Sequence, residues 1–226
     1  MKTVYNFLKD LRQNNNREWF NANKERYLEV KAKVDDFTQS LINRLSEIEP
    51  DAARLTPADC TYRIYRDTRF SLDKTPYKTH IGIYICPKGN KKSYRAGYYV
   101  HLEPGNSLMA GGSWCPPAPL LKEIRKSIYD NIDEYLEIIE NPEFRSVFKQ
   151  IGNDQLKTAP KGFPKDWEHI DLLKPRDYTT YAPVSDSFMT SSNAVASIFE
   201  YMRLQKPYND FINFILDESP WLDTPR

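Results

Sequence analysis

Residues 81–103 of this 226-residue chain read I-G-I-Y-I-C-P-K-G-N-K-K-S-Y-R-A-G-Y-Y-V-H-L-E, and this stretch decides the fold class. Two runs rich in β-branched and aromatic residues, Ile81–Cys86 and Arg95–Glu103, flank a polar loop with Gly89-Asn90 at its turn. Runs of this composition are typical of strands, and a short glycine-containing loop between them predicts an antiparallel hairpin.

Three further runs on either side of the hairpin have the same character and predict more strands. They are Tyr62–Arg66, Ser107–Trp114 and Tyr178–Val184. The Gly111-Gly112 pair in the second run allows another backbone or a ligand to approach closely, because glycine has no side chain. Together these runs predict a sheet of about five strands.

The residues before the strands have the three- and four-residue spacing of amphipathic helices. Residues 3–12 predict a short helix, and apolar residues recurring from Trp19 to Ile48 predict one long helix that reaches about Glu49, before Pro50. The run Asn14-Asn15-Asn16 separates the two helices and supplies the cap of the second.

The residues after the strands again predict helices. An apolar stripe runs from Leu120 to Ile139, and Asn141-Pro142 is a strong start signal for a short helix through Ile151. Ser191 or Ser192 would cap a closing helix, with Pro207 kinking or restarting it. The order predicts an α+β fold in one domain, residues 1–226: a largely antiparallel sheet of about five strands with a long N-terminal helix and C-terminal helices packed on it.

Composition and cysteine usage limit where the protein acts. No run approaches the roughly 18 apolar residues that a membrane span needs, and the first ten residues carry charge where a signal peptide is apolar. We therefore expect a cytoplasmic protein without a membrane partner. Cys60, Cys86 and Cys115 lack C-x-x-C spacing, so neither a disulfide framework nor a metal site is predicted.

Charge is unevenly distributed along the chain, although the total is only +1. Residues 60–102 contain nine basic and two acidic residues, an excess of seven positive charges, which leaves a net −6 for the remainder. Segregated charge of this kind indicates an anionic partner or an internal ion-pair network.

Five of the nine basic residues and both acidic residues lie in residues 63–78, R-I-Y-R-D-T-R-F-S-L-D-K-T-P-Y-K, which we call the basic segment. Arginine forks and ammonium groups hold phosphates and carboxylates, so the segment is a candidate site for an anionic small molecule. Asp67 and Asp73 would hold the arginines, and Tyr77 would orient the ligand. An internal ion-pair network is the alternative and stays open. The candidate ligand-binding residues are Arg63, Arg66, Asp67, Arg69, Asp73, Lys74, Tyr77 and Lys78.

Histidines add a second set of candidates. His101 and Glu103 are two apart on a predicted strand and share a face. If His80 and His101 meet Asp67 in a cleft, they can act as general acid and base; a histidine satisfied within the sheet is the plainer interpretation. The chain lacks the P-loop, dinucleotide-binding, G-x-S-x-G and H-E-x-x-H motifs, so reaction class and cofactor are left open.

The hairpin offers a further hypothesis. Lys88, Lys91, Lys92 and Arg95 with neighbouring tyrosines could bind the phosphates and stack on the bases of a nucleic acid. Tyrosines packed across strands are the alternative. An anionic small molecule is the first expected partner, a nucleic acid the second, and a structural or interaction role the third.

Long strings of the sequence resemble the uncharacterised family named domain of unknown function 2461. They are F-L-K-D-L-R-Q-N-N-N-R-E-W-F-N-A-N-K (Phe7–Lys24), the stretch Arg63–His80, Y-Y-V-H-L-E-P-G (Tyr98–Gly105) and G-G-S-W ending at Trp114. The resemblance implies a coherent fold and no particular reaction. It also implies that Arg17, Glu18 and Trp19 belong with the basic segment. Arg17 is therefore an accessory candidate, together with His80 and His101 from the possible cleft.

Overall fold

A five-stranded antiparallel sheet confirms the α+β class in the computed structural model, which describes residues 1–217. The strands are β1 (Ile81–Ile85), β2 (Gly97–Leu102), β3 (Ser107–Ser113), β4 (Gln150–Ile151) and β5 (Tyr178–Val184). Their order in the sheet is β1-β2-β3-β5-β4. The predicted hairpin is therefore confirmed, because β1 and β2 are neighbours.

Helices precede and follow the strands, as predicted. They are α1 (Lys2–Gln13), α2 (Arg17–Ala22), α3 (Lys24–Leu45), α4 (Pro57–Cys60), α5 (Ala118–Asp130), α6 (Ile132–Ile139), α7 (Pro142–Val147), α8 (Asp186–Thr190) and α9 (Ala194–Asp217). Short 3-10 turns occupy Pro50–Arg54 and Ile170–Leu173.

The chain divides into two compact units. Unit 1 comprises Met1–Lys91, Tyr99–Met109 and Pro183–Glu200, and unit 2 comprises Lys92–Tyr98, Ala110–Ala182 and the chain from Tyr201 onward. One domain over residues 1–226 stays a prediction, and residues 218–226 of that range lie outside the described residues.

The core of unit 1 is built by the stripes that the sequence shows. Val4, Phe7 and Leu8 of α1 are fully buried, as the predicted stripe requires. In α3, the apolar residues Val30 and Leu41 are buried in the same way, and α3 packs on α1. Burying such side chains stabilises the unit by about 1.5–3 kcal/mol each relative to full exposure.

The predicted long helix is interrupted at Asn23. The side chain of Asn16 caps α2 by accepting a hydrogen bond from the Trp19 N–H (2.9 Å), and α2 ends after one and a half turns. Asn23 then leaves helical geometry (φ −107°, ψ 23°) and its Nδ2 donates to the Trp19 carbonyl (2.9 Å). An asparagine side chain competes with the helical backbone in this way, which periodicity alone does not reveal.

The predicted strand at Tyr62–Arg66 is wrong. Within it, only Tyr65 makes an isolated antiparallel pair, with Tyr77, and the preceding residue Thr61 makes another with Ile83. Proline has no N–H to donate, so Pro76 prevents the second pairing from extending into a regular ladder. The basic segment is consequently a folded-back loop between α4 and β1.

The predicted helix over the 120–139 stripe, in unit 2, is also split, between α5 and α6. Asn131 leaves helical geometry (φ −124°, ψ 46°), and its Nδ2 donates to the Ser127 carbonyl (3.1 Å). The predicted cap at Asn141 is confirmed, because its Oδ1 accepts from the Glu143 and Phe144 N–H groups.

The ends of two other unit 2 elements differ from their predictions. Helix α7 stops at Val147, and Gln150 and Ile151 instead form β4, which pairs with β5. Helix α9 continues through Pro207 without a restart. Close approach at the paired glycines is confirmed, since a Cβ on Gly112 (φ +97°) would lie 2.0 Å from the Tyr178 carbonyl oxygen.

Candidate functional site

The basic segment folds back on itself within unit 1. Its ends pair through the N–H of Arg66, which donates to the Pro76 carbonyl (2.9 Å), and the N–H of Lys78, which donates to Ile64 (2.8 Å). We call residues 63–65 and 76–78 the base, and the intervening residues 66–75 the tip.

The base is anchored on the N-terminal helices. Asn15 donates from Nδ2 to the Tyr77 carbonyl (2.9 Å) and accepts at Oδ1 from the Tyr77 N–H (3.1 Å). The Tyr77 ring is 4% exposed and stacks on Phe20 with 3.9 Å between ring centroids. Burial raises the pKa of Tyr77, and the nearby charge of Arg17 opposes this rise. The association of Arg17 with the segment stays a prediction.

The first arginine of the tip is held by a carboxylate and two hydroxyls. Arg66, whose side chain is 25% exposed, bonds to Asp73 and Thr75 and reaches Ser71 at 3.4 Å. The Thr75 N–H, followed by Arg66, lowers the pKa of Asp73 to about 2. Asp73 is therefore the carboxylate that holds Arg66.

The second arginine of the tip is paired as well. Arg69 binds Asp67 with both ends of its guanidinium, Nε to Oδ1 at 3.0 Å and Nη2 to Oδ2 at 2.7 Å. These bonds lower the pKa of Asp67 to about 2. Lys74 donates a hydrogen bond to the Thr68 carbonyl (2.9 Å). The polar groups of the tip thus bind one another.

Two large apolar side chains project from the tip. Phe70 is 95% exposed and Leu72 is 102% exposed. Single exposed apolar residues are ordinary on protein surfaces, but two on one braced loop suit an interaction role.

The base carries cations that are not paired in this way. The Lys78 side chain is half-buried, with its Nζ 5.6 Å from the Tyr62 ring centroid. Burial and the charge of Arg63 lower the pKa of Lys78. Among residues 1–217, neither Arg63 nor Lys78 forms an ion pair with a carboxylate, although the charge of Arg63 helps to lower the pKa of Asp67. Two neighbouring positive charges that no carboxylate pairs with form an attractive place for an anion.

Next to the base, a hydrogen-bonded chain runs along β2. The Tyr99 hydroxyl lies 2.8 Å from His101 Nδ1, and His101 Nε2 lies 3.1 Å from Glu103 Oε2. His101 and Glu103 therefore share a face, as predicted. Burial raises the pKa of Tyr99, so its hydroxyl stays protonated. Both ring nitrogens of His101 are thus engaged, one by Tyr99 and the other by Glu103.

His80 stacks on this chain. Its ring lies 4.5 Å from the His101 ring, centroid to centroid, at an interplanar angle of 29°. Burial and the charges of His101, Lys78 and Arg66 lower the pKa of His80 to about 4, whereas Glu103 opposes them. A neutral imidazole beside cations can accept a proton from a ligand or a bound water. Asp67, considered as the carboxylate of this cluster, pairs with Arg69 instead.

Sequence reasoning missed two members of the cluster. Tyr99 precedes His101 by two residues, so strand alternation could have included it. Arg12 donates to Glu103 Oε1 (3.1 Å) from α1, 91 residues earlier, and no local pattern announces such a contact.

Two cations of the hairpin, Lys91 and Arg95, make contacts within their own units. Lys91 donates from Nζ to the carbonyls of Ala58 (2.6 Å) and Thr61 (3.1 Å) within unit 1. Arg95 is 7% exposed and pairs with Asp217 within unit 2. Both cations stabilise their own unit.

Two properties of residues 1–217 concern membranes and metal ions. No helix there is long and apolar enough to cross a membrane. Within the same range, no group of three or more His, Cys, Asp or Glu side chains could hold a metal ion.

Comparison with known proteins identifies a family and no function. No curated protein and no solved structure matches the chain. Residues 3–211 match the family described as conserved hypothetical protein DUF2461. Because the match covers most of the 226 residues, the chain belongs to the DUF2461 family.

Proposed function

We propose that this protein binds a phosphorylated or otherwise anionic ligand at the base of the basic segment. The observation that carries the proposal is Lys78, a half-buried cation next to Arg63 that has no carboxylate partner among residues 1–217. Holding two such charges near each other costs free energy, and a bound anion offsets that cost.

The candidate residues divide by role under this proposal. Arg63 and Lys78 contact the anion, and Arg66 adds its charge from the edge of the tip. Asp67 and Asp73 keep the tip arginines in place, as their bonds support. Tyr77 acts by anchoring the base on Phe20, in line with its buried ring.

The remaining two cations of the candidate set brace the tip. Arg69 is engaged by Asp67, and Lys74 is engaged by the Thr68 carbonyl. An ion-pair network is thus supported for the tip, while anion binding is proposed for the base.

The test is a thermal-shift titration with pyrophosphate and, in a second arm, a single-stranded oligonucleotide at low salt. A ligand at about 100 times its Kd adds about 2.7 kcal/mol of stability to the wild-type protein. We expect pyrophosphate to stabilise the wild type and Lys78→Met to lose about tenfold or more in affinity, because a charge-assisted contact disappears.

The matched control is Lys88→Met, which removes the same charge from an exposed site outside the segment. It should bind pyrophosphate like the wild type. Equal losses in both variants, or no stabilisation by either probe, would refute the proposal. An oligonucleotide that binds the wild type and Lys78→Met, but no longer binds Lys88→Met, would favour the nucleic-acid hypothesis.

A further inference from the structure

The stacked histidines beside the base differ in how their nitrogens are used. His101 has both nitrogens engaged, Nδ1 by Tyr99 (2.8 Å) and Nε2 by Glu103 (3.1 Å). The His80 ring stacks on it at 4.5 Å and makes no hydrogen bond with any of residues 1–217. His80 is therefore the imidazole of the pair that is left for a ligand.

The carboxylate of Glu103, which lies near the pair, already has several hydrogen-bond donors. Glu103 accepts from Arg12 (3.1 Å), Thr79 (3.4 Å), Asn106 (2.8 Å) and His101. Burial alone would raise the pKa of Glu103, but the bonds from Asn106 and His101 hold it below its usual value. Its charge is thus engaged by other donors.

The remaining charged neighbours of His80 are positive. They come from the basic segment, Lys78 and Arg66, and from β2, the ring of His101. Burial and these neighbours keep His80 neutral at pH 7. A neutral imidazole has one N–H donor, whereas a protonated one has two donors and a charge.

We propose that the anion and one proton bind together, with His80 as the residue that takes the proton and contacts the ligand. The ligand class is a doubly charged tetrahedral oxyanion, such as a phosphate monoester or sulfate. Two negative charges offset the repulsion between protonated His80 and the cations of the base. The proton comes from solvent, and no covalent bond changes. This inference rests on the proposed anion site.

The experiment measures sulfate binding by calorimetry at pH 6.5 in two buffers that differ in ionisation enthalpy. Sulfate does not titrate between pH 5 and 8, so proton uptake reports the protein. We expect uptake approaching one proton per sulfate. The linkage relation gives an affinity that rises by at most about tenfold per pH unit as the pH falls from 7.5 to 5.5.

The variant His80→Gln keeps a hydrogen-bonding side chain that cannot take a proton. It should bind sulfate without proton uptake and with a flat pH profile. The chain has three histidines, so His169→Gln, in unit 2, is the matched control and should keep the uptake. If His80→Gln does not fold, the ring signals of the wild-type histidines replace it, and sulfate should raise the midpoint of one histidine, which the stacked geometry assigns to His80.

The outcomes separate this inference from the proposed function. Sulfate that binds the wild type without proton uptake, or uptake that persists in His80→Gln, overturns the inference and leaves anion binding standing. A wild type that binds neither sulfate nor pyrophosphate overturns both.

Discussion

In the tip of the basic segment Arg66 and Arg69 each meet a carboxylate, whereas at its base Arg63 and Lys78 have none among residues 1–217. The tip holds three cations among its ten residues and the base two among six, so their cation densities are similar in the sequence. Charge density therefore does not by itself mark a binding site. Under the proposed function, the mark is positive charge that no carboxylate pairs with.

The two regions also differ in how the fold supports them. The base rests on a buried aromatic ring, Tyr77, and a reciprocal clamp by Asn15. The tip is braced only by its own polar groups and exposes Phe70 and Leu72. We therefore expect substitutions at the base to cost more stability than substitutions at the tip.

The largest effect should come from Tyr77→Ala. The change empties a site that is 4% exposed and removes the ring stacked on Phe20, so the free energy of unfolding should fall by about 3 kcal/mol. Urea denaturation followed by circular dichroism measures it. Tyr65→Ala is the control, because that ring is 44% exposed, and it should cost less than half as much. Equal losses would contradict the greater cost that we expect for the buried ring of the base.

A smaller effect is expected from Arg66→Ala, which sharpens the comparison inside the tip. Its side chain is 25% exposed and bonds to Asp73, Thr75 and Ser71, so its loss should lower the free energy of unfolding by about 1 kcal/mol after solvent screening. Arg69→Ala removes a guanidinium that is 77% exposed and should leave the urea midpoint unchanged. A larger loss in Arg69→Ala than in Arg66→Ala would contradict this order.

The last prediction concerns pH. His80 has a folded-state pKa of about 4, below the usual 6.5, so between these values the unfolded chain binds a proton that the folded protein does not. The stability that His80 contributes is therefore complete above about pH 6.5 and declines as the pH falls toward 4. Without added anions, the Tm of the wild type should fall more steeply over this window than that of His80→Gln. Parallel curves would show that His80 does not titrate as the geometry requires.

Local sequence patterns predicted the helices well where a single signal, such as an apolar stripe or a capping residue, acted alone. The stripe of Val4, Phe7 and Leu8 is buried as expected, and Asn141 caps α7. Where two rules competed, the prediction failed: Asn23 and Asn131 interrupt periodic stripes because their side chains bond to the helical backbone. Pro76 likewise limits the pairing of Tyr65 with Tyr77 to an isolated bridge.

The candidate site was predicted only where its contacts join residues that are close in the sequence. The pairing of Asp67 and Asp73 with arginines could be anticipated, because these residues are close in sequence. The approach of Arg12 to Glu103, across 91 residues, could not. Long-range contacts depend on how elements pack, and periodicity carries no information about that.

By itself, the sequence determined the α+β class, the hairpin of β1 and β2, and the concentration of positive charge in residues 60–102. Hydrophobic periodicity and local charge are properties of neighbouring residues, so they are legible in the chain. Only the tertiary structure decided which cations are neutralised and which histidine keeps free nitrogens. Arg66 and Lys78 are both cations in the sequence, but Arg66 pairs with Asp73, whereas Lys78 lies near the charge of Arg63 and the ring of Tyr62. Electrostatic energy depends on distance and burial in space, and both are set by the fold.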